Sequence, residues 1–90
     1  MIRSFRHKGI GRFFTASNLR GINPQHASRI GRLLDRLDAA TQPEDMHLPG
    51  FRFHPLHGFD PTRYAVAVSG NWRITFAFDG EDAIDVNLED

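Results

Sequence analysis

An almost unbroken alternation of large apolar residues with small or polar ones, from Trp72 to Phe78, constrains the fold of this chain most. In an extended strand the four large residues point to one side: Trp72, Ile74, Phe76 and Phe78. The other side carries Arg73 and two smaller residues. This pattern is typical of an antiparallel strand whose large face lies on the core. Arg73 would then project from the opposite, open face.

Several other stretches alternate in the same way, and turn signals separate them. The sequence predicts strands at residues 1–6, 51–55 and 64–68, and a last strand whose apolar side carries Ile84, Val86 and Leu88. Ser69-Gly70-Asn71 and Asp79-Gly80 are hairpin signals on either side of the Trp72–Phe78 stretch. The C-terminal half is therefore predicted to be an antiparallel meander.

Helical periodicity is confined to the N-terminal half. Asn23-Pro24 is a strong helix start, and the apolar stripe behind it predicts a helix that ends near Ala40. A shorter helix is expected over residues 7–14, and one more helical turn over residues 41–46, capped by Thr41 or Gln42. The order predicts one α+β domain over residues 1–90, with two N-terminal helices packed on one face of a mostly antiparallel, twisted sheet.

Composition excludes several classes of protein. The 90 residues include no cysteine, so neither a disulfide framework nor a thiolate metal site is possible. No apolar run is long enough to span a bilayer, and we expect a cytoplasmic protein without a membrane partner. The 11 basic and 11 acidic residues cancel, but every charged residue before Asp35 is basic and every one from Asp79 onward is acidic. This asymmetry suggests two electrostatic surfaces for two partners.

The candidate site lies on the open face of the sheet. Strand parity places Arg52, His54 and Arg73 on that face, with His57 in the loop just beyond. Arginine binds phosphate oxygens and imidazole moves a proton, so this set suits a phosphate group. The alternative is that these are ordinary solvated side chains. His54 and His57 could also form half of a metal site, but no third ligand is evident, and we expect no metal or cofactor.

Six segments, in order along the whole chain, resemble the HigB toxins of the RelE group of bacterial type II toxin–antitoxin systems. They are residues 2–5, 37–41, 45–50, 53–58, 68–76 and 85–90, and they include His-Pro-Leu-His-Gly and Ser-Gly-Asn-Trp-Arg-Ile-Thr-Phe. The resemblance implies an endoribonuclease that cleaves mRNA in the ribosomal A site. It also implies a HigA-like helix-turn-helix antitoxin as partner, and contact with operator DNA only through that antitoxin.

The resemblance assigns roles to individual residues. It implies catalytic roles for His54, Arg73 and Asp90, although strict alternation puts Asp90 on the Ile84 side of the last strand. The family commonly has Lys at the position of His57 and continues past Asp90 with Tyr-His. We therefore expect either that the C-terminal tail of the family has been lost from this chain or that this protein has reduced activity.

The remaining basic residues divide between two expected surfaces. Arg52, His57 and Arg63 are expected to hold the RNA backbone. Arg12, Arg29, Arg32 and Arg36 on the helical half are expected to bind the antitoxin; the alternatives for the helix arginines are a solvated face or a basic surface for RNA. The competing interpretation is a binding module with the toxin fold and little catalysis, kept for antitoxin docking and operator regulation. A third is an unrelated small-ligand or structural domain.

Overall fold

Two helices cover one face of a four-stranded antiparallel sheet in the computed structural model, which describes residues 1–90. The elements in chain order are α1 (Lys8–Ala16), a 3-10 turn (Pro24–His26), α2 (Ala27–Ala39), a second 3-10 turn (Pro43–Met46), β1 (His54–Leu56), β2 (Arg63–Ser69), β3 (Trp72–Asp79) and β4 (Asp82–Glu89). The strands lie in the order β1-β2-β3-β4. The predicted α+β class is confirmed. Neither helix is long and apolar enough to cross a membrane.

Side chains at the helix starts explain the helix boundaries. The ring Nδ1 of His7 accepts the N–H of Ile10 at 3.1 Å, and the Asn23 side chain accepts the N–H of Gln25 at 2.9 Å. Asn23 caps a 3-10 turn that leads into α2, rather than α2 itself. In the second 3-10 turn Gln42, one of the two predicted residues, is at the cap position, but its side chain makes no capping bond; the Asp45 carboxylate accepts the N–H of Thr41 at 3.0 Å instead.

The core lies between α2 and the large faces of β2 and β3. On the sheet, Val66 pairs with Ile74 and Tyr64 with Phe76, as the alternation predicted. The helix contributes four residues that are at most 1% exposed: Ile30, Leu33, Leu34 and Leu37. Burying each of these side chains contributes about 1.5–3 kcal/mol, so this interface is the main source of stability.

A bulge in β4 overturns part of the predicted pattern. The pairing shifts between Thr75–Asn87 and Ala77–Ile84, and Asp85 adopts a left-handed φ of 52° within the bulge. Ile84 consequently shares the open face with Ala77, whereas Val86 is buried in the core. The prediction that Ile84 lies on the same side as Val86 is wrong because strict alternation does not survive a bulge.

The N-terminal segment runs parallel to β4. Ile2 bridges Ala83 and Phe5 bridges Val86, as two isolated bridges rather than the continuous first strand that was predicted. Arg3 contacts both Asp79 and Asp82, and Arg6 lies 3.9 Å from Asp85. The basic start of the chain and its acidic end therefore neutralise one another along this edge. The expectation of two separate electrostatic surfaces is wrong there.

Candidate functional site

A cavity of about 490 Å³ opens at one end of the sheet, where β1, β3 and the end of β4 meet. Its polar side chains come from three segments of the chain, and they are Arg52, His54, Asn71, Arg73 and Asp90, with Trp72 beside them. Three of the residues singled out by strand parity or by resemblance as catalytic are among them. They are His54, Arg73 and Asp90.

The strand register explains why His54 and Arg73 line the same cavity. His54 pairs with Ala65 and Arg73 pairs with Ala67, so both side chains rise from the same open face on either side of β2. Asp90 follows the last paired residue, Glu89, which lies opposite Arg73. Beyond Glu89 alternation no longer fixes the direction of the chain. Asp90 therefore lines the cavity with Arg73, contrary to the parity expectation.

The hydrogen bond of His54 fixes which ring nitrogen is free. Its Nδ1 lies 2.9 Å from the carbonyl oxygen of Arg52. A carbonyl can only accept, so Nδ1 carries a proton and donates it, and in the neutral ring Nε2 keeps its lone pair. No other hydrogen bond within the chain involves this ring. His54 is thus arranged to accept a proton through Nε2.

Arg52 is held in place by an unusual backbone conformation. Its φ is 54°, in the left-handed region, and Gly50 before it has a φ of 83°. The segment is tied to the sheet because Ala67 donates its N–H to the carbonyl of Phe51 at 2.8 Å. The predicted strand over residues 51–55 is therefore shorter, and begins at His54. Arg52 nevertheless reaches the same cavity.

Arg73 is the cation of this site that has a buried donor without a partner. It is half-buried, it makes no hydrogen bond or ion pair within the chain, and its Nε is a buried donor with no partner. A buried donor without a partner costs free energy, about 1–3 kcal/mol, unless a ligand supplies the acceptor. A guanidinium with free donors beside an imidazole is suited to a phosphate group.

Arg63 lies outside this cavity and makes structural hydrogen bonds instead. It is 5% exposed, and its Nη2 donates to Thr75 Oγ1 at 3.0 Å and to the carbonyl of Asp85 at 2.8 Å. Burial lowers the pKa of Arg63 below its usual value, and the nearby Arg6 lowers it further. Arg63 therefore ties the β4 bulge to β2 through Nη2 and lies apart from the cavity that holds His54 and Arg73.

The remaining predicted residues are placed apart from the cavity. His57 is exposed just after β1. Arg12, Arg32 and Arg36 are exposed and have no ion pair. Arg29 is half-buried instead, since its guanidinium donates to the carbonyls of Gly50 and Ala67. No three histidine or acidic side chains come together as metal ligands.

Sequence reasoning missed two polar residues near Arg73. The sequence pattern marks Asn71 only as a turn residue, although its position next to Trp72 and Arg73 places it in the cavity lining. No sequence pattern marks Glu89, yet it pairs with Arg73 in the register and accepts hydrogen bonds from Thr75 Oγ1 and Asn87 Nδ2. The hairpin sequence could have identified Asn71 as a site residue. Glu89 could not be placed from the sequence, because the bulge interrupts the alternation of β4.

Comparison with known proteins agrees with this geometry. Residues 3–90 match the family model described as the RelE-like toxin of the type II toxin-antitoxin system HigB. The chain is 37% identical over 90 residues to the Endoribonuclease HigB of Proteus vulgaris, a match that covers 100% of this chain and 98% of that protein. The chain therefore belongs to the HigB-like family of RelE-like toxins of type II toxin–antitoxin systems.

Proposed function

We propose that this protein is a metal-independent endoribonuclease that cleaves mRNA in the A site of the ribosome. The ribose 2′-oxygen attacks the adjacent phosphorus while the bond from phosphorus to the 5′-oxygen breaks. The products are a 2′,3′-cyclic phosphate and a 5′-hydroxyl end. The reaction needs a base for the 2′-hydroxyl proton, a proton for the departing 5′-oxygen, and positive charge around the phosphate.

The observation that carries the proposal is the meeting of His54 with two arginines in one cavity, of which Arg73 has unpartnered donors. The resemblance to a protein named an endoribonuclease supports the same conclusion. A cavity of about 490 Å³ with a polar lining has room for a nucleotide.

His54 takes the 2′-hydroxyl proton through its free Nε2, a role worth about 10²–10⁴-fold in rate. The carboxylate of Asp90 lines the same cavity and stabilises the imidazolium that results. The imidazolium, or water, then supplies the proton to the 5′-oxygen. The Nδ1 hydrogen bond to Arg52 keeps the ring oriented throughout.

Arg73 stabilises the charge that develops on the phosphate oxygens, worth about 10²–10³-fold when its geometry is preorganised. Arg52 neutralises the same phosphate or its neighbour. His57, in the exposed loop after β1, contacts the RNA backbone beyond the cavity when it is protonated. Arg63 has no part in this scheme because it lies outside the cavity and its Nη2 is bonded to Thr75 and to the carbonyl of Asp85.

A HigA-like helix-turn-helix antitoxin is the proposed inhibitor, and it alone contacts operator DNA. The exposed arginines on the helical side, Arg12, Arg32 and Arg36, offer it a basic docking surface. This surface consists of helix residues, whereas the cavity lies at the end of the open sheet face. The bound antitoxin would then inhibit the protein by keeping it from the ribosome rather than by filling the cavity.

The test is cleavage of one defined mRNA on purified ribosomes, with analysis of the new RNA ends. Arg73→Lys keeps the charge but loses the planar fork, so we expect at least about tenfold slower cleavage by a folded protein. Arg32→Lys is the matched control and should cleave at the wild-type rate. Cyclic phosphate ends are expected, because a metal-activated water would leave a phosphate monoester instead.

Two outcomes would overturn the proposal. Intact mRNA with folded wild-type protein that still binds its antitoxin would identify a binding module rather than an enzyme. Wild-type cleavage by folded Arg73→Lys would remove the phosphate contact from the mechanism.

A further inference from the structure

A second, smaller cavity of about 140 Å³ lies on the helix side of Trp72. Its lining is half apolar, and its main side chains are His7, Ile22, Asn23, His26, Ile30 and Trp72. Trp72 lines both this cavity and the one that holds Arg73. The indole is 42% exposed, and it is one of four large hydrophobic side chains left in contact with solvent. Trp72 is therefore the residue that the two linings share.

The polar groups of the smaller cavity are hydrogen-bond donors. His7 Nδ1 accepts the N–H of Ile10, so in the neutral ring the proton lies on Nε2, which is free to donate. The Asn23 side-chain oxygen accepts the N–H of Gln25, which leaves both hydrogens of its Nδ2 free. The His26 ring has no hydrogen bond within the chain. A planar ligand with acceptor atoms on its edge would satisfy these groups.

We propose that the cavity between Trp72, His7 and Asn23 binds a nucleobase of the single-stranded RNA whose phosphate lies on Arg73. This inference rests on the proposed function and adds a base-binding subsite to it. Trp72 and Arg73 are consecutive, and side chains of consecutive strand residues lie on opposite faces. A nucleotide crossing this end of the sheet can therefore place its phosphate on one face and its base on the other.

The chemistry favours a base over an apolar peptide side chain. Proteins that hold single-stranded nucleic acid combine cationic groups for the backbone with aromatic rings on which bases stack. Ile22 and Ile30 supply apolar lining to the cavity, and they are 8% and 0% exposed. The donors on His7 and Asn23 match ring nitrogens and carbonyl oxygens of bases, which a leucine or phenylalanine side chain would leave unpaired.

The chain contains one tryptophan, so fluorescence excited near the red edge of its absorption reports on Trp72 alone. The probe is adenosine 5′-monophosphate, with ribose 5-phosphate as the abasic control. We expect quenching by the nucleotide and none by the sugar phosphate, which can reach Arg73 but has no base to stack. Quenching of equal size by both compounds, or by neither, would overturn the subsite.

Asn23→Asp separates stacking from hydrogen bonding. Aspartate keeps the acceptor that caps the 3-10 turn but removes the Nδ2 donor, so the fold should survive. With uncharged adenosine as the probe, so that the added carboxylate repels no phosphate, we expect roughly two- to tenfold weaker binding, as for the loss of one hydrogen bond. Phe59→Ala, which removes another exposed aromatic from a different loop, is the matched control and should leave binding unchanged. Equal binding by wild type and Asn23→Asp would exclude Asn23 from the subsite.

The test distinguishes this inference from the proposed function. Base-dependent quenching without mRNA cleavage would support the base-binding subsite and contradict the endoribonuclease activity. Equal cleavage rates for wild type and Trp72→Phe, with no quenching by the nucleotide, would support the activity and contradict the subsite. If the antitoxin shields Trp72 but no nucleotide does, the cavity belongs to the protein partner, which also overturns the proposal.

Discussion

Replacing Arg29 by methionine should destabilise the fold, although the sequence suggests a solvated or antitoxin-binding arginine at this position. Its Nη2 donates to the carbonyl of Gly50 at 2.7 Å and to that of Ala67 at 3.0 Å, and its Nε donates to Ala67 at 3.3 Å. The guanidinium carbon also lies 5.2 Å from the centre of the Phe51 ring. One side chain thus clamps α2, β2 and the segment that precedes Arg52.

The size of the effect follows from these contacts. A hydrogen bond from a charged donor contributes about 1.5–3 kcal/mol. The bonds to Ala67 share one acceptor and the contact with Gly50 is exposed, so we count the set as little more than one full bond. The cation–π contact adds about 0.5–1 kcal/mol. Arg29→Met should therefore lower the free energy of unfolding by about 2–4 kcal/mol, while its unbranched side chain retains helix propensity.

Urea unfolding measures this loss as a lower midpoint with an unchanged slope. Arg32→Met is the matched control, since Arg32 is exposed on the same helix without a partner, and it should change stability by less than about 0.5 kcal/mol. Arg29→Lys should recover part of the loss, because an ammonium can reach one carbonyl but not both. Wild-type stability of Arg29→Met together with weakened antitoxin binding would refute the clamp.

Three other outcomes are expected. Arg63→Met should lower the free energy of unfolding by about 1–3 kcal/mol in urea melts, because it removes the hydrogen bonds to Thr75 Oγ1 and to the carbonyl of Asp85, while the rate of cleavage per folded molecule stays unchanged. The N–H of Thr41 lowers the pKa of Asp45 below its usual value, so the stabilisation is present at neutral pH and is lost as the pH falls through that lowered pKa. Melting temperatures of wild type and Asp45→Ala should therefore differ at pH 7 and converge in strong acid. Reversing Arg32 and Arg36 to Glu should slow antitoxin association, with a weaker salt dependence in stopped-flow measurements.

The strand faces could be predicted where pairing is regular. In β2 and β3 the contrast between large apolar residues and small or polar ones is strong, and Val66 and Ile74 meet as expected. Prediction failed where a residue other than glycine adopts a left-handed φ, at Arg52 and Asp85. Nothing in those side chains signals the conformation, which tertiary contacts impose.

The candidate site could be located from sequence more readily than its supporting residues. His54 and Arg73 follow from strand parity, since both lie on regular β pairs. The placement of Arg29 and Arg63 does not follow, because an arginine bonded to a distant carbonyl has the same pattern as a solvated one. Arg29 and Ala67 are 38 positions apart in the chain. Only the folded chain shows which cations are free to bind a phosphate.

The parallel pairing of the N-terminal segment with β4 has a consequence for synthesis of the protein. Ser4 Oγ accepts the N–H of Asp85, a partner 81 positions later in the sequence. At a translation rate of about 5–20 residues per second, Asp85 is synthesised roughly 4–16 s after Ser4. Until then Arg3 and Arg6 lack the carboxylates that neutralise them in the finished fold. The nascent chain is therefore more basic than the complete, folded protein while it is still attached to a ribosome.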